Sequence, residues 1–306
     1  MNRLNTIAQH TTTSTATVKH PLDPLSSAEI AASVSLIKAY LAGKKISFNT
    51  VTLKEPPKAV LKVWLANPES TPFPPREVFF TVLEAGVNGI IEGSLSLTEN
   101  KVFGTKVVTG FQPILTVEDL QTTEDVIRKD PNVIEQCRIS GIPKEEMDKV
   151  YCDPWTIGYD ERWGTDRRLQ QALMYYRSDE DDSQYSHPLD FCPVVDTETK
   201  EVVFIDIPKI RRPLSKAKHS NFNPKDILAT TGYRDSIKPI NVTQPEGVSF
   251  KMNGNIMEWQ NFKFHIGFNY REGIVLWLKW LFLTAALISP TSVSTLLILV
   301  SMVLVI

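Results

Sequence analysis

The chain has 306 residues, 42% of them hydrophobic and 22% charged, with a formal net charge of -2. That length suits two or three domains, and the balance is that of a water-soluble globular protein. The absence of a basic excess excludes nucleic acid as a partner.

Residues 1–19 are rich in Ser, Thr, Ala and Asn, bury too little to fold, form no secretory signal, and read as a mobile leader. Order is expected from HPLDPLSSAEI, residues 20–30. Ser26 and Glu29 have capping-box spacing, Ile30, Val34, Ile37 and Leu41 recur at helical spacing, and Gly43 closes the pattern. Five β-rich runs follow, at 46–53, 60–66, 77–85, 89–97 and 101–110. One helix against an antiparallel sheet makes a small α+β domain over 20–110. A second α+β domain is expected over 111–207. It opens with two or three short helices, with Thr116 as N-cap, Gly141 as a stop and Pro143 in a first turn. Residues 167–177 (RRLQQALMYYR) are ambiguous between strand and helix, and 192–208 reads as a hairpin. The two domains are similar in size and order of content, without a visible residue-level repeat.

Residues 208–247, with many Pro, Lys, Arg and Asn, read as a long surface connector. Strand alternation returns at 248–276, where Val248, Phe250 and Met252 share one side and Phe262, Phe264, Ile266 and Phe268 do so in the next strand. Asn253-Gly254 marks a hairpin. The segment looks like the start of a larger β-sheet domain. Residues 281–306 then carry no charged side chain, a run long enough to span a bilayer.

The segments HPLDPLSSAEI, ISFNTVTL, QPILTVEDL, VYCDPWTIGYDERWGTDRRLQQALMYYRSDEDDSQYSHPLDFCPVVD and INVTQPEGVSFKMNGNIMEWQNFKFHIGFNYREGIVL resemble a fungal, peroxisomal-type copper amine oxidase, from about residue 20 to Leu276. The resemblance implies an α+β fold with N2-like (20–110) and N3-like (111–207) domains, the connector, and the truncated start of a catalytic β-sandwich over 248–276. It implies oxidation of a primary amine to aldehyde, ammonia and hydrogen peroxide, with copper and topaquinone as cofactors. A homodimer partner and a peroxisomal or cytoplasmic location come with it. Three copper-binding histidines, the quinone tyrosine and an aspartate base belong to the sandwich, downstream of the residues present. The chain by itself is therefore expected to bind neither cofactor and to be inactive.

The candidate residues fit that expectation. His10, His20, His187, His219 and His265 include no His-x-His pair. Asn269-Tyr270-Arg271 imitates the family's quinone pattern but has Ile266 where a Thr is required and Arg271 where an acid is required. The acidic run 178–182 lacks the spacing of a calcium loop and reads as a solvated loop. Asn241-Val242-Thr243 is a formal glycosylation sequon without a sign of secretion. By resemblance, Trp155 borders a substrate channel; domain-packing core is the alternative. Three cysteines are too few for a disulfide framework. Cys137 and Cys152 either meet across a short loop or stay buried and reduced.

At Trp277 the likeness stops, and residues 277–306 form a hydrophobic tail expected to be helical. Retained intron sequence, a frameshift or a wrong gene model is the favoured origin. The rival is a membrane anchor through 281–306, kinked at Pro290, which would make the chain a non-catalytic membrane-tethered interaction protein.

Overall fold

The computed structural model describes residues 18–215, 221–269 and 272–281, with side chains through Trp277. The predictions for His10, His219, Tyr270, Arg271, residues 1–17 and the run 282–306 lie outside the described residues.

The first domain is helix α1 (Ser27–Tyr40), strand β1 (Ile46–Lys54), helix α2 (Lys58–Ala66) and strands β2 (Glu77–Glu84), β3 (Ile90–Ser96) and β4 (Lys101–Val108). The four strands form an antiparallel meander in the order β1-β2-β3-β4. Helix α1 starts where expected, because Ser26 and Glu29 close a full capping box. Its Ile37 and Leu41 pack on Val78, Phe80, Val82, Ile91 and Leu95. Gly93 lets the Phe80 ring lie across β3, since a Cβ there would stand 2.3 Å from that ring.

Residues 60–66, read above as a strand, are helical, so this sheet has four strands rather than five. The valines at 60 and 63 mimic a strand, but Ala59, Leu61, Lys62 and Leu65 favour a helix. Only Trp64 of this helix is buried. It sits edge-on to His20 and Phe73, with centroids at 5.1 and 5.7 Å.

The second domain contains α3 (Val117–Ile127), α4 (Pro131–Ile139), a 3-10 turn (Lys144–Lys149) and strands β5 (Val150–Thr156), β6 (Leu169–Tyr176), β7 (Cys192–Asp196) and β8 (Glu201–Asp206). The strands form a meander in the order β5-β6-β7-β8. Thr116 caps α3 as expected, while Pro143 is the N-cap of the 3-10 turn rather than inside its first turn. The ambiguous 167–177 segment resolves to strand, its Tyr175 and Tyr176 paired with Tyr151 and Val150. Ile127, Val133, Cys137, Ile142, Met147, Val150, Cys152, Met174, Phe191 and Val195 form one core.

Cys137 and Cys152 share that core as free thiols, and Cys192 is free as well. Burial pushes the Cys137 and Cys152 thiols up to about 12 and that of Cys192 to about 11. None is a thiolate near neutral pH.

Within the connector, a short helix α5 (Pro224–Thr230) is capped by Asn223. Beyond it, β9 (Phe250–Asn253), β10 (Ile256–Trp259), β11 (Phe262–Asn269) and β12 (Gly273–Leu281) make a third antiparallel meander. The expected hairpin is thus half of a four-stranded sheet, and its turn residues are Gly254 and Asn255, between the paired Asn253 and Ile256. Residues 277–281, expected to start a helical tail, continue β12 instead. Trp277 pairs with His265 and Leu281 with Phe262, because β11 offers a free ladder along its whole length. Among the described residues, no helix is long and apolar enough to cross a membrane.

Candidate functional site

Each of the first two domains is locked by one buried arginine placed just before its second strand. Arg76, 8% exposed, donates from Nε to Glu29 Oε1 at 2.7 Å and from Nη1 and Nη2 to the carbonyls of Pro21 and Pro24 at 3.3 and 2.9 Å. Arg168, 5% exposed, donates from Nε to Asp119 Oδ1 at 3.0 Å and from Nη1 and Nη2 to the carbonyls of Pro113 and Ile114 at 3.2 and 3.0 Å. In both, the carboxylate is the N3 member of the capping box, Ser26–Glu29 or Thr116–Asp119. A planar five-donor guanidinium suits this joint demand of carboxylate and carbonyls, which an ammonium would not meet.

Burial by itself would raise the Glu29 and Asp119 carboxyls. The bonds from the arginines and the capped backbone outweigh it and hold both below their ordinary values. The residue-level repeat invisible in the sequence is therefore Leu-Ser/Thr-x-x-Glu/Asp followed far downstream by an arginine. Its signal was the pair of L-S-S-A-E (25–29) and L-T-V-E-D (115–119).

The linker between these domains is stitched to the β5–β6 loop. Thr165 Oγ1 donates to the Gly110 carbonyl at 2.6 Å and Gln112 Nε2 to the Asp166 carbonyl at 2.7 Å. From β1, Asn49 Nδ2 reaches the Ile114 carbonyl at 2.7 Å. A cavity of about 220 Å³ lies along this seam, lined among others by Phe111, Leu115, Ile157, Trp163 and Arg168.

Trp155, next in sequence to Thr156 of that lining, lies near the end of edge strand β5, opposite Gln171 and 56% exposed. So exposed a ring is not part of the core of the described domains. Trp163, by contrast, lies 6.0 Å from the Phe204 ring under Arg162 and Arg167.

The histidines separate into two settings. His187 Nε2 lies 3.1 Å from Asp182 Oδ2 and its Nδ1 3.0 Å from the Ser215 carbonyl. Asp182 also accepts from Ser178 N and Oγ and from Asn221 Nδ2. The acidic run is therefore not wholly a solvated loop. Its Asp179, Glu180 and Asp181 are exposed, but Asp182 is buried and ties the loop to the connector.

His20 and His265 meet although 245 positions apart in the chain, their rings stacked at 4.4 Å and 22°. His265 Nε2 lies 2.9 Å from Asp23 Oδ1, which also accepts from Asn255 Nδ2 at 3.0 Å. Asp23 Oδ2 accepts the His20 amide at 2.8 Å, and His20 Nδ1 accepts the Leu22 amide at 3.2 Å. Trp277 closes the group edge-on to His265 at 5.4 Å, and it lies against Gly267, where a Cβ would stand 2.2 Å from the indole. Burial tends to raise the Asp23 carboxyl, but the bonds from His265, Asn255 and two amides bring it well below the usual range.

His20, Asp23 and His265 could supply three ligand atoms within 4.8 Å of one another. They do not fit copper. A metal takes the in-plane lone pairs of imidazole nitrogens at about 2.0 Å. Stacked, near-parallel rings send those lone pairs side by side rather than to one point. One nitrogen of each ring is already committed to Leu22 or Asp23. The group is a latch between the first domain and the third sheet.

Two family models match this architecture. "Copper amine oxidase, N2 domain" covers residues 20–108, and "Copper amine oxidase, N3 domain" covers residues 118–225. The chain belongs to the copper amine oxidase family and carries its N2 and N3 domains. It is 65% identical over 252 residues to the peroxisomal primary amine oxidase of Pichia angusta, a match covering 82% of this chain and 36% of that protein. Against copper amine oxidase 1 of Schizosaccharomyces pombe the identity is 57% over 267 residues, 87% of this chain and 38% of that protein. The crystal structure of a copper-containing benzylamine oxidase from Hansenula polymorpha superposes with a TM-score of 0.70 at 26% identity, over 84% of this chain and 42% of that one. The chain thus spans just over a third of the curated relatives it matches, and their catalytic region lies outside the match.

Proposed function

We propose that residues 20–281 serve as the amino-terminal frame of a primary-amine oxidase, with Trp155 walling the route by which the amine enters. The observation that carries this reading is the 65% identity to a peroxisomal primary amine oxidase. The exposure of Trp155 on an edge strand whose following loop is tied to the linker supports the channel role. Oxidation of the amine through copper and topaquinone belongs, on this reading, to the catalytic region of the relatives. Among the described residues, His20 and His265 meet as a stacked pair rather than at one point. The name of the same relative supports a peroxisomal setting, and a homodimer partner is what the family resemblance implies.

The test replaces the matched segment of the Pichia angusta enzyme with residues 20–276 of this chain. The fusion is expected to oxidise primary amines, and Trp155→Ala to change KM for bulky amines more than kcat. A fusion that forms its quinone yet turns over no amine overturns the frame reading. Unchanged selectivity in the variant overturns the role of Trp155. The 306-residue chain by itself is expected to release no peroxide with or without copper; turnover accompanied by quinone absorbance would refute that.

The uncharged run 281–306 favours a second reading, a membrane-tethered interaction protein. Recovery of the native chain in a carbonate-resistant membrane fraction would support it.

A further inference from the structure

Two asparagine–glycine pairs lie in strand connections, Asn88-Gly89 between β2 and β3 and Asn253-Gly254 between β9 and β10. Glycine has no side chain to shield its amide nitrogen, so that nitrogen can attack the carboxamide of the asparagine before it. The two pairs stand in opposite settings. Asn88 is exposed, but Gly89 is buried, and a Cβ on it would stand 2.4 Å from the Val108 carbonyl oxygen. Its backbone is packed against the end of β4. Asn253, Gly254 and Asn255 are all exposed, and a Cβ on Gly254 would meet nothing within 4 Å. The open turn leaves room for the Asn253 side chain to swing over the Gly254 nitrogen.

The same turn carries part of the latch. Asn255 donates from Nδ2 to Asp23 Oδ1 at 3.0 Å, and its carbonyl accepts the Ile266 amide at 2.8 Å. Asp23 Oδ1 in turn meets His265 Nε2. Asn255 is placed for these contacts by a two-residue turn, closed by the pairing of Asn253 with Ile256. The face of the sheet away from His265 is apolar and open, with Phe268 and Ile274 64% and 66% exposed.

We propose that Asn253 is a deamidation site whose isoaspartyl product releases the third sheet from the first domain. The Gly254 amide nitrogen gives up its proton and bonds to Asn253 Cγ. The Cγ–Nδ2 bond breaks, and ammonia leaves with that proton, giving a cyclic imide. Water then opens the ring. Attack at Cγ restores the main chain and leaves aspartate; attack at the main-chain carbonyl carbon leaves isoaspartate. The co-reactant is water alone. In isoaspartate the chain runs through Cβ and Cγ, so the turn gains one backbone atom, and the former main-chain carbonyl becomes a free carboxylate. Residue 253 then no longer pairs with Ile256 in the present register, and Asn255 moves off Asp23.

The test ages the folded 306-residue chain at neutral pH and digests it with trypsin, which releases 77–101 and 252–263 as separate peptides for mass spectrometry. Conversion of amide to acid is expected at least about tenfold faster at Asn253 than at Asn88, because reaction at a buried glycine waits on a local opening of about 1.4 kcal/mol. In urea the two rates should converge. An isoaspartyl methyltransferase with a labelled methyl donor reads the isoaspartyl share. The aged chain should exchange amides faster throughout β9–β12 while β2, β3 and β6 stay protected. Asn253→Gln, whose longer side chain closes a ring far more slowly, should keep its protection on ageing. Freshly made Asn253→Asp has the charge without the extra backbone atom and should exchange like the unaged chain. Equal rates at Asn88 and Asn253 in the folded chain, an Asn253 that stays amidated, isoaspartate at 253 with unchanged exchange in β9–β12, or a fresh Asn253→Asp chain as loose as the aged one would each overturn the proposal.

Discussion

Arg168 ties the second domain to the linker that precedes it. It is buried against Asp119, two carbonyls of the interdomain linker and, through Asp119 Oδ1, the Thr197 hydroxyl at 3.2 Å. Removing one partner of such a pair leaves a buried charge uncompensated, which costs about 3–5 kcal/mol. Arg168→Met should lower the stability of the second domain by that amount in urea unfolding; a loss under 1 kcal/mol would show that the clamp is dispensable.

The same carboxylates set the acid limb. Glu29 and Asp119 titrate lower in the folded protein than in the unfolded chain. Their contribution is complete above the unfolded values of about 4.3 and 3.9 and is lost as pH falls through these toward the folded ones. Unfolding free energy should therefore decline with pH below about 4.5, and Asp119→Asn should flatten that decline. An acid limb of unchanged slope in the variant would assign it to other groups.

At the scale of elements, the latch decides whether the third sheet behaves as part of the fold. A lone hairpin is marginal in water, whereas three or more strands with a buried face persist. Here four strands are tied to the first domain through His265, Asn255 and Asp23. Asp23→Ala should raise amide hydrogen exchange throughout β9–β12 and leave β2, β3 and β6 protected; unchanged exchange in β9–β12 would show that the strands hold without the latch. Helix α2 illustrates how an element is misread from sequence. Residues 60–66 are apolar enough for a strand, and only the position of Trp64, between His20 and Phe73, shows which period is used.

Over the whole molecule, stability is unevenly distributed. The connector exposes Ile210, Phe222, Ile240 and Val242 at 83–93%, and its described residues contain only the short helix α5 as regular structure. Segments with few buried contacts open first. Limited proteolysis should cut between 208 and 247 before any site in residues 20–207, leaving a resistant two-domain core. Initial cleavage within β1–β8 would contradict this distribution. Asp182, His187 and Asn221 pin the start of the connector to the second domain, so the first cuts are expected beyond residue 221.

What the amino-acid sequence determined by itself was everything written in local patterns. The capping box at Ser26, the N-cap at Thr116, the β-rich runs of β1–β4, the hairpin of β7 and β8 and the long ordered likeness to a copper amine oxidase are all contiguous signals. Tertiary structure alone decided what depends on residues far apart. The stacking of His20 on His265 and the reach of Arg168 to Pro113 join positions whose spacing carries no periodic signature. The burial of Asp182 inside an acidic run follows from His187, Ser178 and Asn221 converging on it. The separation of the third sheet into a latched face and an open apolar one follows from strand register. A sequence displays alternation along one strand, but which side is covered depends on the domain that packs against it.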